Sequence, residues 1–266
     1  KSTLFALLYT AYQTLLYRLT NQTDLVVGLV AAGQSIAGNE NLVAHGVQLL
    51  PLRSEADPER PFSQHLSYIR DLIFDAFDHQ QYTLGALVKE LKLPRDPSRQ
   101  PIISVLFNMD SVMGSLEFGA LDAQMEAIQR KYETFDGFIN VKPSGEGIDF
   151  EWIYNTDLWD AQSIRWRLNE FVQLLKSIVE NPRQSIGQLP ILPADEKHLL
   201  EKWNQTKTNY PQDICIHTLI SQQAKEVADK IAVRSGEKTI TYRELEKRSD
   251  RLAKHFIQNG LRPGAF

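Results

Sequence analysis

The sequence predicts a layered α/β fold, on three observations. Helical and strand periodicities alternate through residues 1–187. The run LVVGLV at 25–30 is continuously apolar, as a strand covered on both faces requires, whereas Ile148, Phe150, Trp152 and Tyr154 alternate with polar Asp149, Glu151 and Asn155, as a strand with one buried face does. Of 266 residues, 42% are hydrophobic and 23% charged, enough apolar material for one or two domains with real cores.

The elements follow in order. Leu4, Leu7, Leu8, Ala11, Leu15 and Leu19 recur at helical spacing, with Ser2 as the expected N-cap. After the 25–30 strand, Gly33 to Asn41 is rich in turn formers, and Val47 to Leu52 make a second strand that Pro51 should end. Pro61 suits the first residue of a helix that turns Phe62, Leu66, Ile69, Ile73 and Phe77 inward. Thr83 should cap a shorter helix with Leu84, Leu87, Val88 and Leu91 on one face, and PRDPSRQP reads as a loop. Ile102 to Met109 form a strand, then Phe138–Val141 and Ile148–Tyr154 form a hairpin around SGEG. A long helix runs from an Asp160 cap to Asn181-Pro182, burying Ile164, Leu168, Phe171, Leu175 and Ile178.

At Gln188 the text changes. Residues 188–210 carry prolines, one short helix pattern and few core-type residues, and read as a linker that Leu189, Ile191 and Leu192 pin to a neighbouring surface. Residues 211–266 then give a helix (His217–Ala228), two short strands (Ile231–Arg234 and Lys238–Thr241) and a helix ended by Gly260. This tail is marginal in length for an independent core.

Charge and motifs exclude several classes. Net charge is −4, with +3 in residues 211–266 and −7 in the remainder, so no field favours nucleic acid or an anionic membrane, and the basic tail reads as a solvated helix face. No long apolar run or signal peptide argues for a membrane span or export. One cysteine, Cys215, admits no internal disulfide and suits a cytoplasmic protein; flanked by Ile214 and Ile216, it reads as a buried inert thiol. The chain has no G-x-S-x-G, no P-loop, no G-x-G-x-x-G and no H-E-x-x-H. His45, His65, His79, His198, His217 and His255 are scattered without ligand spacing, so no metal is expected.

Two sets of segments carry a resemblance. In the tail, Trp203, Asn204, Thr206, Tyr210, Pro211, His217, Gln223 and Ala224 precede the run Thr241, Tyr242, Glu244, Leu245. Their order resembles the entrance to the adenylation domain of a nonribosomal peptide synthetase. Upstream lie LVAHGVQLLPLR at 42–53, HQQYTLGALVKEL at 79–91 and RDPSRQPIISVLFNM at 95–109. These are similar to the C-terminal lobe of a condensation domain, the amide-forming domain of the same enzymes. Gly46, Val47, Leu49, Leu50, Pro51, Leu52 and Arg53 match, with Gln48 where Asn is usual. His79, Gln80, Leu87 and Val88 match, whereas Gln81, Thr83 and Leu84 depart from Asp, Pro and Phe. Arg95, Asp96, Ser98, Arg99, Pro101, Val105 and Phe107 all agree, and YNTDLWD at 154–160 fits the end of the lobe.

The resemblance implies half of a chloramphenicol-acetyltransferase-like architecture: residues 1–187 as the C-terminal lobe, 188–210 as linker and 211–266 as a truncated adenylation start. It implies a tunnel in which an acceptor amine attacks a donor thioester. Gly46, Val47, Gln48, His79 and Gln80 would lie near its floor and carrier surface, and Gln48 and Gln80 could hydrogen-bond a pantetheine amide. The bland alternatives are a hydrogen-bonded helix end for His79 and a salt-bridge and turn device for Arg95, Asp96, Ser98 and Arg99. The family's reactive His-His-x-x-x-Asp-Gly is absent; Phe135-Asp136-Gly137 follows no His-His pair, so no catalytic residue is assigned and the chain alone is expected to be inactive. No cofactor is expected here; phosphopantetheine belongs to carrier domains, and ATP and Mg to a full adenylation domain. Implied partners are the N-terminal lobe, carrier domains and the rest of the adenylation domain. Self-association through Trp152, Trp159 and the 102–109 strand is a further expectation. The alternatives are a CoA- or carrier-dependent acyltransferase and a non-catalytic, epimerisation-like carrier-binding lobe.

Overall fold

The computed structural model describes residues 2–32, 45–94, 96–110, 119, 132–144, 147–262 and 264. The chain divides into two compact units, Lys1–Lys202 and Trp203–Phe266.

The first unit is built on a five-stranded sheet. Its strands are β1 (Asp24–Ala32), β2 (Val47–Glu55), β3 (Val105–Met109), β4 (Gly137–Ser144) and β5 (Gly147–Tyr154), in the order β2-β1-β3-β4-β5. β1, β3 and β4 run parallel, and the edge strands β2 and β5 pair antiparallel to β1 and β4. β2 continues through Pro51, which pairs opposite Gly28, instead of ending there. The reason is position: on an edge strand the missing proline N–H need not enter the ladder.

Helices α1 (Leu4–Thr20), α2 (Phe62–Asp78) and α4 (Ala161–Glu180) contribute to the core on one face of the sheet. Leu8, Tyr9, Tyr12 and Leu15 of α1 meet Val27, Leu29, Phe107 and Ile139 from the strands, with Phe62, Ile69, Phe171 and Leu174 from the other helices. Tyr9 and Tyr12 ring-pack on Phe107, and Tyr12 also meets Trp152 and Phe171 edge-on. The cap of α1 is Thr3, not Ser2: the Ala6 N–H donates to Thr3 Oγ1 at 3.1 Å. Thr83 and Asp160 cap α3 (Leu84–Leu91) and α4 as the sequence predicts. On the opposite sheet face, Ile103, Leu106 and Phe138 form a smaller cluster with Leu49 and Leu84 of α3. The strand expected over 102–109 begins only at Val105; β3 is central in the sheet, and Ile103, Leu106 and Phe107 are buried.

Entry into β3 is a tight bend. The Ile103 N–H donates to the Pro101 carbonyl at 2.8 Å around Ile102, whose φ is 71°. This is a γ-turn of the rarer positive-φ kind, costly for a β-branched residue.

Residues 188–202 belong to the first unit. Leu189 is fully buried, Ile191 packs on the core, Arg18 donates to the Leu189 carbonyl, and Ser177 Oγ donates to Pro190 O at 3.0 Å. Helix α5 (Ala194–Trp203) follows.

The second unit holds α6 (Ile216–Glu226), β6 (Ile231–Ser235), β7 (Lys238–Thr241) and α7 (Tyr242–Gln258). β6 and β7 form an antiparallel ribbon. Ala224 is the one fully buried hydrophobic residue among those described in this unit, and Cys215 is exposed, not buried, because the neighbouring Ile214 and Ile216 are themselves exposed.

Candidate functional site

The candidate site gathers at the carboxyl end of β1. The β1–β2 register sets Val47 opposite Ala32 and Gln48 opposite Ala31. Gly46, Val47 and Gln48 therefore stand at the edge where the parallel strands finish, the side on which open α/β sheets bind ligands. They share a concavity of about 400 Å³ with Thr83, Leu84 and Gly85, the first turn of α3. Among the described residues Gln48 Oε1 is buried with no hydrogen-bond partner, and the space beside Gly85 is open for at least 4 Å. An open glycine face and a capped helix start are suited to an uncharged polar chain, not to a metal.

His79 and Gln80 are not brought into this concavity. His79 is the C-cap of α2, and its ring Nδ1 lies 2.9 Å from the Asp75 carbonyl and 3.6 Å from its carboxylate. That is the helix-end role. Gln80 sits in the following turn, its N–H donating to Phe77 O at 3.3 Å.

Of the 95–99 motif, Arg95 lies outside the described residues. Asp96 Oδ1 accepts from Ser98 N at 2.9 Å and Ser98 Oγ at 2.6 Å, which, with Arg99 nearby, holds its carboxyl below the usual range. The loop is a local turn device. Arg99 points to a different place, a second cavity of about 500 Å³ at the opposite end of the sheet, walled by Leu19, Leu25, Trp152, Trp159 and Ile164. Trp152 Nε1 is buried without a partner among the described residues, and a Cβ on Gly137 would approach it to 2.9 Å. The sequence carries no signal for this cavity, because its walls come from elements far apart along the chain.

In the second unit, Thr241 and Glu244 form a capping box: Glu244 N donates to Thr241 Oγ1 at 3.3 Å and Thr241 N donates to Glu244 Oε2 at 3.2 Å. Tyr242 N donates to Lys230 O at 3.0 Å, tying α7 to the turn before β6; Leu245 is half-buried on α7. These four motif residues hold local structure. Among the described residues no cluster of His, Cys, Asp and Glu could hold a metal, and no helix is long and apolar enough to cross a membrane.

Comparisons with known proteins give the family and the fold. Residues 1–201 match the family described as Condensation domain. The chain is 31% identical over 265 residues to surfactin synthase subunit 1 of Bacillus subtilis (strain 168), covering 99% of this chain and 7% of that protein. It is 31% identical over 264 residues to tyrocidine synthase 3 of Brevibacillus parabrevis, covering 98% of this chain and 4% of that one. The chain thus spans less than a tenth of the curated relatives it matches. Among solved structures, a four-domain nonribosomal peptide synthetase in its holo form, bound to AMP and glycine, superposes with a TM-score of 0.76 at 21% identity over 98% of this chain and 21% of that one. The X-domain from teicoplanin biosynthesis gives 0.64 at 22% identity over 71% of this chain and 44% of that one.

Proposed function

The chain belongs to the condensation-domain family, and on that premise we propose that it is a piece of a nonribosomal peptide synthetase. In this reading, residues 1–187 are the C-terminal lobe of the domain, 188–210 join it onward, and 211–266 are the first elements of an adenylation domain. The observation that carries the reading is that similarity to synthetases does not stop with the family match at residue 201 but runs on through the tail, over 98% of the chain. The motif order of the tail, ending in Thr241, Tyr242, Glu244 and Leu245, supports the adenylation assignment.

The reaction served is amide formation between two carrier-bound thioesters. The acceptor amine nitrogen attacks the donor carbonyl, a C–N bond forms, the C–S bond breaks, and a base passes the amine's proton to the departing sulfur, which leaves as the donor arm's free thiol. This chain has no His-His pair to act as that base. Its contribution is positioning: a rigid sheet edge with Gly46, Val47 and Gln48 along one wall of the tunnel, where orientation of the reactants supplies much of the acceleration. In this reading Gln48 Oε1, which has no partner among the described residues, turns to accept from an amide N–H of a phosphopantetheine arm.

Two measurements test this. Incubated alone with loaded donor and acceptor carriers, the chain should form no amide; turnover would overturn the lobe reading. Titrated with phosphopantetheine, the ¹⁵N-labelled chain should shift the amides of Gly46, Val47, Gln48 and Gly85. Shifts confined to other surfaces, or none at millimolar probe, would remove the concavity from the tunnel wall.

A further inference from the structure

A second polar feature stands at the same sheet edge, on the face opposite α1. β3 pairs Asn108 with Asn140 of β4, and β4 in turn pairs Asn140 with Glu151 of β5. Asn108 and Asn140 each follow, two residues on, the buried Leu106 and Phe138 of the smaller cluster, so they project from the face that α3 helps to cover. At this end the face turns from apolar to polar.

Three side chains there form a closed triangle. Asn108 Nδ2 donates to Asp110 Oδ1 at 2.8 Å and to Asn140 Oδ1 at 2.7 Å. Asn140 Nδ2 donates to Asp110 Oδ2 at 2.9 Å. A carboxylate only accepts, so Asp110 fixes which end of each amide faces it, and neither can flip without losing a bond to the charge. Asp110 is itself held on the sheet, its N–H donating to the Val141 carbonyl at 2.8 Å.

Counting capacity gives the consequence. Both N–H bonds of Asn108 and the oxygen of Asn140 are used within the triangle. Among the described residues no partner takes Asn108 Oδ1 or the second N–H of Asn140. One acceptor and one donor remain, on neighbouring strands about 4.8 Å apart. A single trans amide directs its C=O and N–H to opposite sides and cannot serve both. One residue of an extended peptide backbone presents its own N–H and C=O along the same edge, and can.

We propose that Asn108 and Asn140, oriented by Asp110, bind one residue of an extended peptide-type chain, its N–H donating to Asn108 Oδ1 and its C=O accepting from Asn140 Nδ2. Asp110 is then a positioning residue. The proposal rests on the condensation reading for its biological substrate, the peptidyl chain being lengthened, but its chemistry stands on the triangle. It separates two jobs along one edge: Gly46–Gln48 for the carrier arm, Asn108 and Asn140 for the peptide.

The test uses the ¹⁵N-labelled chain and two small probes, N-acetylalanine N-methylamide and its depsi analogue O-acetyl-lactic acid N-methylamide, which lacks only the central N–H. The side-chain NH₂ signals of Asn108 and Asn140 should move with the peptide probe, and the depsi analogue should bind roughly three- to tenfold more weakly. Asn108→Leu and Asn140→Leu should each abolish the response, while Asp110→Asn, keeping size but not charge, should weaken it. Unmoved NH₂ signals, or equal binding of the two probes, overturn the proposal; the wild-type signals decide this even if a variant fails to fold. If the peptide probe binds while phosphopantetheine leaves Gly46–Gln48 unmoved, the carrier-arm reading fails and this one stands. The reverse pattern sinks this one alone.

Discussion

Arg167 and Glu170 face each other across one turn of α4, 3.0 Å apart, with the glutamate side chain only 3% exposed. Its second oxygen, Oε2, is buried without a partner among the described residues. Burial pushes the Glu170 carboxyl up to about 7, against the pull of Arg167, and the nearby Glu196 of α5 adds to the rise.

The first prediction follows from that. In the unfolded chain this group ionises near its ordinary 4.5, and in the folded protein only near 7. Its contribution is therefore most favourable below pH 4.5, is lost as pH rises from 4.5 to about 7, and is flat above, by at most about 3 kcal/mol. Glu170→Gln should raise the urea midpoint at pH 8 and leave it nearly unchanged at pH 4. Equal midpoint changes at both pH values would contradict the buried-acid account.

His65 gives the opposite slope. Its Nε2 lies 2.7 Å from Gln13 Oε1 inside the core, and burial, helped by Arg60, holds its pKa down to about 4. The unfolded chain takes up a proton at 6.5 and the folded one not until about 4, so this stability is complete above 6.5 and is lost as pH falls to 4. His65→Gln leaves Glu170 unopposed, so stability should rise as pH falls from 6.5 to 4.5. Between pH 4.5 and 6.5 the two groups oppose each other, so each single variant should show a steeper pH dependence than the parent. Asp24, Asp96 and Asp160, all lowered, add a small acid loss to every variant.

Gly28 and Gly85 should respond oppositely to alanine. A Cβ at Gly28 would come within 2.4 Å of Leu106 Cδ2 and 2.6 Å of Ile103 Cγ2, inside the smaller core. Gly28→Ala should cost ~1–3 kcal/mol by overpacking. Gly85, on α3 with nothing within 4 Å, should gain up to about 1 kcal/mol as alanine. Thermal melts of the two variants compare them directly; a Gly28→Ala melt at or above the parent would count against the packing described.

The capping box of α7 is a fourth handle. Thr241→Ala removes an acceptor for Glu244 N and should destabilise the helix by ~1 kcal/mol. With so little buried in the second unit, amide exchange in the first turn of α7 should speed up about fivefold while the first unit is unchanged.

The sequence was most legible where packing and periodicity agree. α3 and α4 start where Thr83 and Asp160 place them, α2 begins one residue after Pro61, which is its N-cap and not its first residue, and the 25–30 run is a strand buried between neighbours. Ser2 and Thr3 are both good caps, and only the turn geometry selects Thr3. Pro51 misled because a proline's cost depends on whether its strand is at an edge, which is a property of the sheet. Cys215 misled because apolar neighbours predict burial only if there is a core to enter. Gly46–Gln48, which line the concavity beside α3, were named from their motif. Asn108, Asp110 and Asn140 were not, because Asn140 meets the other two only across the β3–β4 register.

The strand order has a kinetic side. β4 and β5 meet across a two-residue gap, but β1 meets β3 only by pairing Gly28 with Leu106 and Leu29 with Phe107. Closing so long a stretch costs chain entropy before any parallel hydrogen bond repays it. The β4–β5 hairpin should thus acquire exchange protection early in refolding and the β1–β3 seam late. Both polar edges join across that seam, so the ligand-facing rim would be the last part of the sheet to exist.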